Sequence, residues 1–475
     1  MTLQFTTIAF ILISLAFFHI APVAFRKYIL LVISVFFIYT EGGISSLAVL
    51  LAITTVTWLL GLAYIRGSSN KVLTILSIAA LAIVLFGWKY IPWLMLQTGS
   101  EKSFPAAPIG LSFYTFQAIS YIADLYTGKI IAEKNFFKYA LYMMWFPKWM
   151  SGPIERAGDF IDQIDKCQKT RLLDFKRFKK ATAYLIWGMF MKLVIADRIA
   201  IVVDSVFDDI PAYGFITVML ASLFYTLQIY CDFAGYTNSM IGISTMFGLE
   251  LTQNFRTPYF SESTVEFWRK WHISLSNFLK DYIYIPLGGN RKGEFRKMLN
   301  TLAVFFVCGI WHGAGLSFIV WGLMHGFFNI ITNLIKDTKA GFLVKGITGK
   351  IVTFCLVSFA WIFFRADSLS TALHFIKGMI PGLNSLSPLE GLATQEYQIL
   401  GISTIEWWIA ALSILLLTAA DYFASRRKTV FPALMLKSWG DYSRAIFLAV
   451  ITVVILIFGK YGSGEAIRAF VYQSF

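Results

Sequence analysis

The sequence predicts an all-α polytopic membrane protein, and three observations lead to that prediction. Of the 475 residues, 57% are hydrophobic and 14% are charged, with a mean hydropathy of +0.66. Soluble domains average about 25% charged residues, and a single soluble core stops growing at about 250–300 residues. Roughly ten apolar runs approach the ~20 residues of a spanning helix. Lys and Arg concentrate between these runs, as the positive-inside rule requires, so we expect membrane lipid to surround the chain.

The apolar runs give the order of the predicted helices. They lie at about 5–22, 28–41, 44–65, 71–88, 106–126, 181–203, 214–235, 298–335, 348–364, 405–424 and 443–460. The shorter run at 134–150 suits a re-entrant helix. The run at 298–335 is interrupted by glycines at 313 and 315, which indicates two helices. No repeat or low-complexity linker divides the chain, so we predict one membrane domain over 1–475, with C-terminal helices and a tail at 405–475.

Basic residues predict the orientation. The segment 155–180 is rich in Lys and Arg, whereas 204–213 carries three acids and no base. The positive-inside rule therefore puts 155–180 in the cytoplasm and 204–213 on the outer side, with both termini also on the outer side. The same bias accounts for the net charge of +14. We expect no nucleic-acid partner, because no basic region stands apart from the apolar runs.

The cysteines and histidines do not indicate a metal site. None of the four cysteines belongs to a C-x-x-C pair, and the sequence contains no H-E-x-x-H. Three clustered ligands would be needed for catalytic zinc. The sequence therefore predicts no metal ion and no tightly bound cofactor.

The segment 225–326 differs from ordinary spanning helices, because it mixes Trp, Arg, Lys, Asp and three of the five histidines. Such groups are functional candidates at membrane depth. His312 follows an apolar run and precedes Gly-Ala-Gly, and burial favours the neutral imidazole that a general base needs. A packed histidine bonded to a backbone carbonyl explains that position equally well. For His325 we expect a helix–helix hydrogen bond. His272 falls in an interfacial amphipathic helix predicted over 262–284, with Trp268 and Trp271 in an aromatic belt.

Four motifs within this segment resemble one family. These motifs are YCDFAGY, NFRTPY, FWRKWHISLSNFLKDYIYIPLGGNR, and WHGAG followed by WGLMHG. They are similar to motifs of the membrane-bound O-acyltransferase (MBOAT) family. The branch that they resemble includes proteins of alginate O-acetylation, peptidoglycan O-acetylation and teichoic-acid D-alanylation. The likeness runs from about 105 to 375.

The resemblance implies a fold and a reaction. The fold would be a ring of tilted helices around a thinned centre with a tunnel, plus interfacial and re-entrant helices. The family's catalytic histidine corresponds to His312, and a second polar position corresponds to His272. The reaction would move an acetyl group from acetyl-CoA in the cytoplasm to an extracytoplasmic polysaccharide, either an alginate-like exopolysaccharide or peptidoglycan. The basic residues Arg269, Lys270, Arg291 and Lys292 are candidates for the CoA phosphates, although the positive-inside rule alone explains them too.

The hypothesis also includes a partner protein and a role for the C-terminus of this chain. No outer segment is large enough to hold a polymer, and the chain has no G-x-S-x-G motif, so we infer an extracytoplasmic serine-dependent, esterase-like transferase as partner. The ending with Phe470, Tyr472 and Phe475 is similar to the F-x-Y-x-x-F ending of the alginate branch. Tyr472 is then a candidate acyl relay. An aromatic anchor at the outer interface explains the same residues.

Three alternatives remain at this point. D-alanyl transfer from a carrier protein to teichoic acid is the alternative within the enzyme class. A transporter or flippase would carry inverted repeats with paired broken helices, and none is evident. A non-catalytic assembly component would not need a histidine at a glycine-rich helix break.

Overall fold

The computed structural model describes residues 5–65, 70–100, 104–171, 174–381 and 400–461. Every regular element in these ranges is helical. Seven of the described helices are long and apolar enough to cross a membrane. The prediction of an all-α polytopic membrane protein is therefore confirmed. Tyr472 lies outside the described residues, and the ring and tunnel stay predictions.

The helices follow the apolar runs closely. In chain order they are α1 (Phe5–Ile20), α2 (Arg26–Ile65), α3 (Lys71–Gln97), α4 (Leu111–Tyr126), α5 (Phe136–Met144), α6 (Phe146–Trp149), α7 (Ala157–Cys167), α8 (Phe175–Met189), α9 (Asp197–Asp208), α10 (Phe215–Met246), α11 (Thr264–Lys270), α12 (Ile273–Leu279), α13 (Glu294–His312), α14 (Leu316–Ile335), α15 (Gly346–Arg365), α16 (Leu369–Gly378), α17 (Thr404–Arg426), α18 (Phe431–Ser438) and α19 (Asp441–Phe458). The seven candidate spans are α2, α3, α10, α14, α15, α17 and α19.

The number of spans is smaller than the number of runs for identifiable reasons. The runs at 28–41 and 44–65 form one element, α2, which is broken at Gly43 by a left-handed backbone with φ 71°. The helix α4 has 16 residues, fewer than the ~20 that cross the hydrocarbon core. The run at 134–150 forms the short helices α5 and α6 rather than one spanning helix.

The chain divides into two compact units. Apart from the extreme C-terminus, the first unit comprises Met1–Leu185 and Thr237–Gln253, and the second comprises Ile186–Tyr236 and Asn254–Val471. The divisions fall within α8 and α10. The residues 262–326, which carry most of the sequence motifs, belong to the second unit.

In the second unit, α13 and α14 form a hairpin whose backbones touch at glycines. A Cβ on Gly309 would lie 2.5 Å from the carbonyl oxygen of Phe318, and one on Gly322 would overlap the carbonyl oxygen of Phe305. Only glycine permits such a close approach. Residues 313–315 form the turn of this hairpin, which confirms that the run at 298–335 consists of two helices.

Candidate functional site

His312 is the last residue of α13 and lies at the turn of the hairpin. Its side chain is buried, with 2% of the residue exposed. Aromatic rings surround the imidazole, with centroid distances of 4.7 Å to Trp311, 5.0 Å to Trp321 and 5.1 Å to Phe364. The helix ends here because Gly313 takes an extended backbone, with φ −170° and ψ 166°. The imidazole is therefore held in an apolar environment at a fixed helix end.

His272 and His312 both have the Trp311 ring as a neighbour. It precedes α12 and has a left-handed backbone with φ 43°, which is uncommon for a residue with a side chain. Its ring lies 4.8 Å from Phe233 and 6.3 Å from Trp311, between centroids. Burial lowers the pKa of His272 to about 3, so the imidazole is neutral at physiological pH. The structure thus brings both predicted histidines against the Trp311 ring.

The surroundings of His272 correct the sequence interpretation. The segment 262–284 is not one amphipathic helix, because the backbone at Trp271 and His272 separates α11 from α12. His272 is fully buried rather than solvated at an interface, and Trp268 and Trp271 are buried as well. The Trp271 ring packs 4.9 Å from Trp361 rather than forming part of an exposed aromatic belt. The aromatic residues of this segment therefore build a protein interior.

His325 has the structural role that the sequence suggested. The indole nitrogen of Trp268 on α11 donates a hydrogen bond to Nδ1 of His325 on α14, at 3.2 Å. An indole N–H can only donate, so Nδ1 is the acceptor and the imidazole proton is on Nε2. The expected helix–helix hydrogen bond of His325 is confirmed.

The four basic candidates fall into two pairs, one on α11 shortly before His272 and one in the turn before α13. Lys270 forms an ion pair with Glu266 at 2.8 Å, and Arg269 beside it is exposed. Arg291 and Lys292 are exposed in the turn before α13. At 1.5 Å of rise per residue, α13 separates this turn from His312 by about 27 Å. A role for Arg291 and Lys292 is therefore limited to a part of a long ligand that is remote from His312.

The motif YCDFAGY has a structural explanation that the sequence did not reveal. The Nζ atom of Lys192 lies 2.5 Å from Asp232 and 2.8 Å from Asp197. A Cβ on Gly235 would lie 2.8 Å from the carbonyl oxygen of Gly188. The motif thus supplies a buried ion cluster and a close helix contact. Charged residues within apolar runs were the signal that marked it.

The chain matches known proteins over most of its length. Residues 127–366 match the model of the MBOAT, membrane-bound O-acyltransferase family. A probable alginate O-acetylase of Pseudomonas putida is 33% identical over 439 residues, which cover 88% of this chain and 87% of that protein. A peptidoglycan O-acetyltransferase of Helicobacter pylori is 36% identical over 306 residues, 59% of this chain and 58% of that protein. A teichoic acid D-alanyltransferase of Streptococcus thermophilus is 27% identical over 244 residues, 47% of this chain and 56% of that protein.

These matches decide the class that the sequence left open between an enzyme, a transporter and an assembly component. They cover the motifs around His272 and His312, which the structure brings together in its second unit. The apolar helices agree with a multi-pass membrane protein. The chain belongs to the membrane-bound O-acyltransferase family, and it is an O-acyltransferase.

Proposed function

We propose that this enzyme takes an acetyl group from cytoplasmic acetyl-CoA and passes it across the bacterial inner membrane for O-acetylation of an extracytoplasmic polysaccharide. The names of the alginate and peptidoglycan relatives support acetyl as the acyl group and a glycan as the acceptor. One arrangement carries the proposal: His312 is buried at a glycine-rich helix end, beside Trp311 and the neutral His272.

In the proposed reaction His312 is the general base. It removes the proton of an acceptor hydroxyl, and the oxygen attacks the thioester carbonyl. The C–S bond then breaks, and the CoA thiolate leaves with the proton that His312 had accepted. His272 positions the site through the Trp311 ring. Gly313 lets the Phe318 ring pack against the turn after His312, because a Cβ there would overlap that ring.

Tyr472 is proposed as the first acceptor hydroxyl. Its phenol, once deprotonated by His312, is a competent nucleophile, and the phenyl ester that forms is reactive enough to pass the acyl group on. The final acceptor would be reached through the serine-dependent extracytoplasmic partner. Arg269, Lys270, Arg291 and Lys292 would face the phosphates of CoA at the cytoplasmic side.

The donor and the relay are tested together. The full chain in lipid nanodiscs is incubated with isotope-labelled acetyl-CoA, and the C-terminal peptide is analysed by mass spectrometry. We expect a labelled acetyl group on Tyr472 and none after Tyr472→Phe, which keeps the aromatic ring. Unaltered polymer acetylation by Tyr472→Phe in cells would leave only the anchor interpretation. If the C-terminal peptide took label from a D-alanyl carrier protein and none from acetyl-CoA, the D-alanyl alternative would be favoured. The teichoic-acid relative supports that alternative.

The proposed orientation has its own test. Cysteines introduced at Ser205 or Ser385 should react with an impermeant thiol reagent added outside, and cysteines at Lys169 or Lys428 should not. The exposed Cys355 is first replaced by serine to remove background labelling. The reverse labelling pattern would place the donor on the wrong side and overturn the proposal. Ser385 lies outside the described residues, so Ser205 is the better-defined position.

A further inference from the structure

One face of α14 carries a row of buried polar side chains. Ser317, Trp321, His325 and Asn329 follow one another at intervals of four residues and therefore share a helix face. They are 1%, 0%, 0% and 6% exposed. Each has a polar atom without a hydrogen-bond partner among the described residues, namely Oγ, Nε1, Nε2 and Oδ1 in that order. Buried polar groups are normally bonded, so this row requires an explanation.

Of the first two members of the row, Trp321 contacts His312 and Ser317 faces the turn that follows His312. The Trp321 ring is 5.0 Å from the imidazole and nearly perpendicular to it, at 89°. The Ser317 hydroxyl points back to the start of α14, because its Oγ lies 3.3 Å from where a Cβ would stand on Gly315. The Trp321 ring thus contacts the proposed base, and the Ser317 hydroxyl lies at the turn between that base and α14.

The N-terminus of α14 adds backbone N–H donors and a partial positive charge to the two side-chain donors. Gly315 is the N-cap and offers no side chain, and the first turn contains no acidic residue. The first amide groups of a helix lack partners within the helix, and the helix dipole makes this end attractive to negative charge. Ser317 and Trp321 lie on the first two turns of the same helix. Side-chain and backbone donors are therefore both available on the first two turns of α14, which follow the turn after His312.

We propose that the Ser317 hydroxyl, the Trp321 indole N–H and the N-terminal amides of α14 stabilise the oxyanion of the acyl-transfer step. This assignment rests on the proposed function. As His312 takes the acceptor proton, the new C–O bond pushes the carbonyl electron pair onto oxygen, and these donors bond the resulting anion. The pair returns when the C–S bond breaks, and the proton on His312 leaves with the thiolate. Preorganised donors of this kind are worth the most in a site without water.

The lower two members of the row are excluded from the oxyanion site by position. His325 is tied to Trp268 through Nδ1. Asn329 lies eight residues beyond Trp321, which is about 12 Å along the helix. Because Asn329 is buried and, like Ser317 and Trp321, has a polar atom without a partner among the described residues, it provides a control on the same face that is remote from the reaction.

The test compares variants that remove one donor each. Trp321→Phe keeps an aromatic ring and deletes the N–H, and Ser317→Ala deletes the hydroxyl. The full chain in nanodiscs is supplied with acetyl-CoA at varied concentration, and release of the CoA thiol is followed. We expect kcat to fall by about 10²–10³-fold in Trp321→Phe and by about 10²-fold in Ser317→Ala. KM for acetyl-CoA should be unchanged, because the donors act only in the transition state.

Controls separate chemistry from packing. Trp268→Phe makes the same replacement in the same aromatic cluster, but removes an N–H that is already bonded to His325. Equal losses of kcat in Trp268→Phe or Asn329→Ala would overturn the assignment, as would a raised KM with unchanged kcat in Trp321→Phe. If Trp321→Phe cannot be purified as a folded protein, Ser317→Ala decides the question.

The outcome also distinguishes this assignment from the proposed function. If His312→Asn is inactive while Ser317→Ala and Trp321→Phe have wild-type kcat, only the oxyanion assignment is wrong. If His312→Asn retains wild-type activity, the proposed mechanism itself is wrong, and the oxyanion assignment fails with it.

Discussion

Each of the two compact units buries a cluster of polar groups, and the clusters differ in how fully they are hydrogen-bonded. In the first unit, Nζ of Lys148 donates to Oε1 of Gln117 at 2.7 Å and lies 4.8 Å from the Tyr142 ring centroid. Glu155 accepts from the backbone N–H of Thr252 at 2.6 Å and from its hydroxyl at 2.9 Å. In the second unit, Ser317 and Trp321 keep unpartnered donors among the described residues.

The difference indicates separate roles. A fully bonded buried network rigidifies a fold, whereas buried donors left open cost stability and are retained where a ligand will use them. We therefore expect a structural role for Lys148, Gln117 and Glu155, and the open donors near His312 support the chemistry proposed there. The sequence had already singled out the histidine-containing segment 225–326, whereas it did not single out Lys148 in the run at 134–150.

The largest expected effect is on turnover. His312→Asn should lower acyl transfer by about 10³-fold, because a general base contributes about 10²–10⁴-fold. Lys148→Met should leave turnover per folded molecule unchanged. Both are measured as CoA thiol release per mole of monodisperse protein, with membrane yield as the control for folding. A comparable loss of turnover in Lys148→Met would show that the Lys148 cluster also contributes to the reaction.

The next effect is on stability in the first unit. Glu155→Ala should reduce the free energy of unfolding by about 3 kcal/mol, because it leaves a buried N–H and a buried cation uncompensated. The matched control is Glu250→Ala, which removes the exposed partner of Lys180 at 2.6 Å. An exposed pair contributes about 0–1 kcal/mol. Thermal unfolding in detergent measures both variants, and equal shifts would contradict the structural role of Glu155.

A smaller effect on stability is expected in the second unit. Gly322→Ala should destabilise the α13–α14 hairpin by about 1–3 kcal/mol, because the new Cβ overlaps the Phe305 carbonyl. Gly87→Ala is the control, since its Cβ would meet only Ile91, at 3.8 Å. Thermal unfolding should show a lower midpoint only for Gly322→Ala. An unchanged midpoint would mean that backbone contact does not hold His312 in place.

The smallest effect is a pH dependence of stability. Burial lowers the pKa of Lys148 to about 7, whereas an unfolded lysine titrates near 10.5. Between these values the unfolded chain holds a proton that the folded chain has released, so stability should rise with pH above about 7. The rise in unfolding midpoint from pH 7 to 9 should be reduced in Lys148→Met. An identical slope in Lys148→Met would assign the dependence to another group.

Particular residues show how much the sequence could predict. The apolar runs located the spanning helices, and the glycines at 313 and 315 located the break that places His312 at a helix end. The sequence could not predict the backbone at His272, because a left-handed residue between α11 and α12 depends on packing against Phe233 and Trp311. Nor could it exclude an aromatic belt, since Trp271 suits a membrane interface as well as an aromatic interior.

By itself, the sequence determined that this chain is an all-α membrane protein with a buried histidine at a helix break. These properties follow from hydropathy and glycine spacing, which act locally along the chain. The length of α13 puts Arg291 about 27 Å from His312. Only the packing of separate helices shows that His272 and His312 share Trp311. The same holds for the Ser317 hydroxyl and the Trp321 indole nitrogen, which lack partners among the described residues. The physical reason is that distances between helices, and the pairing of buried polar atoms, depend on how separate segments pack.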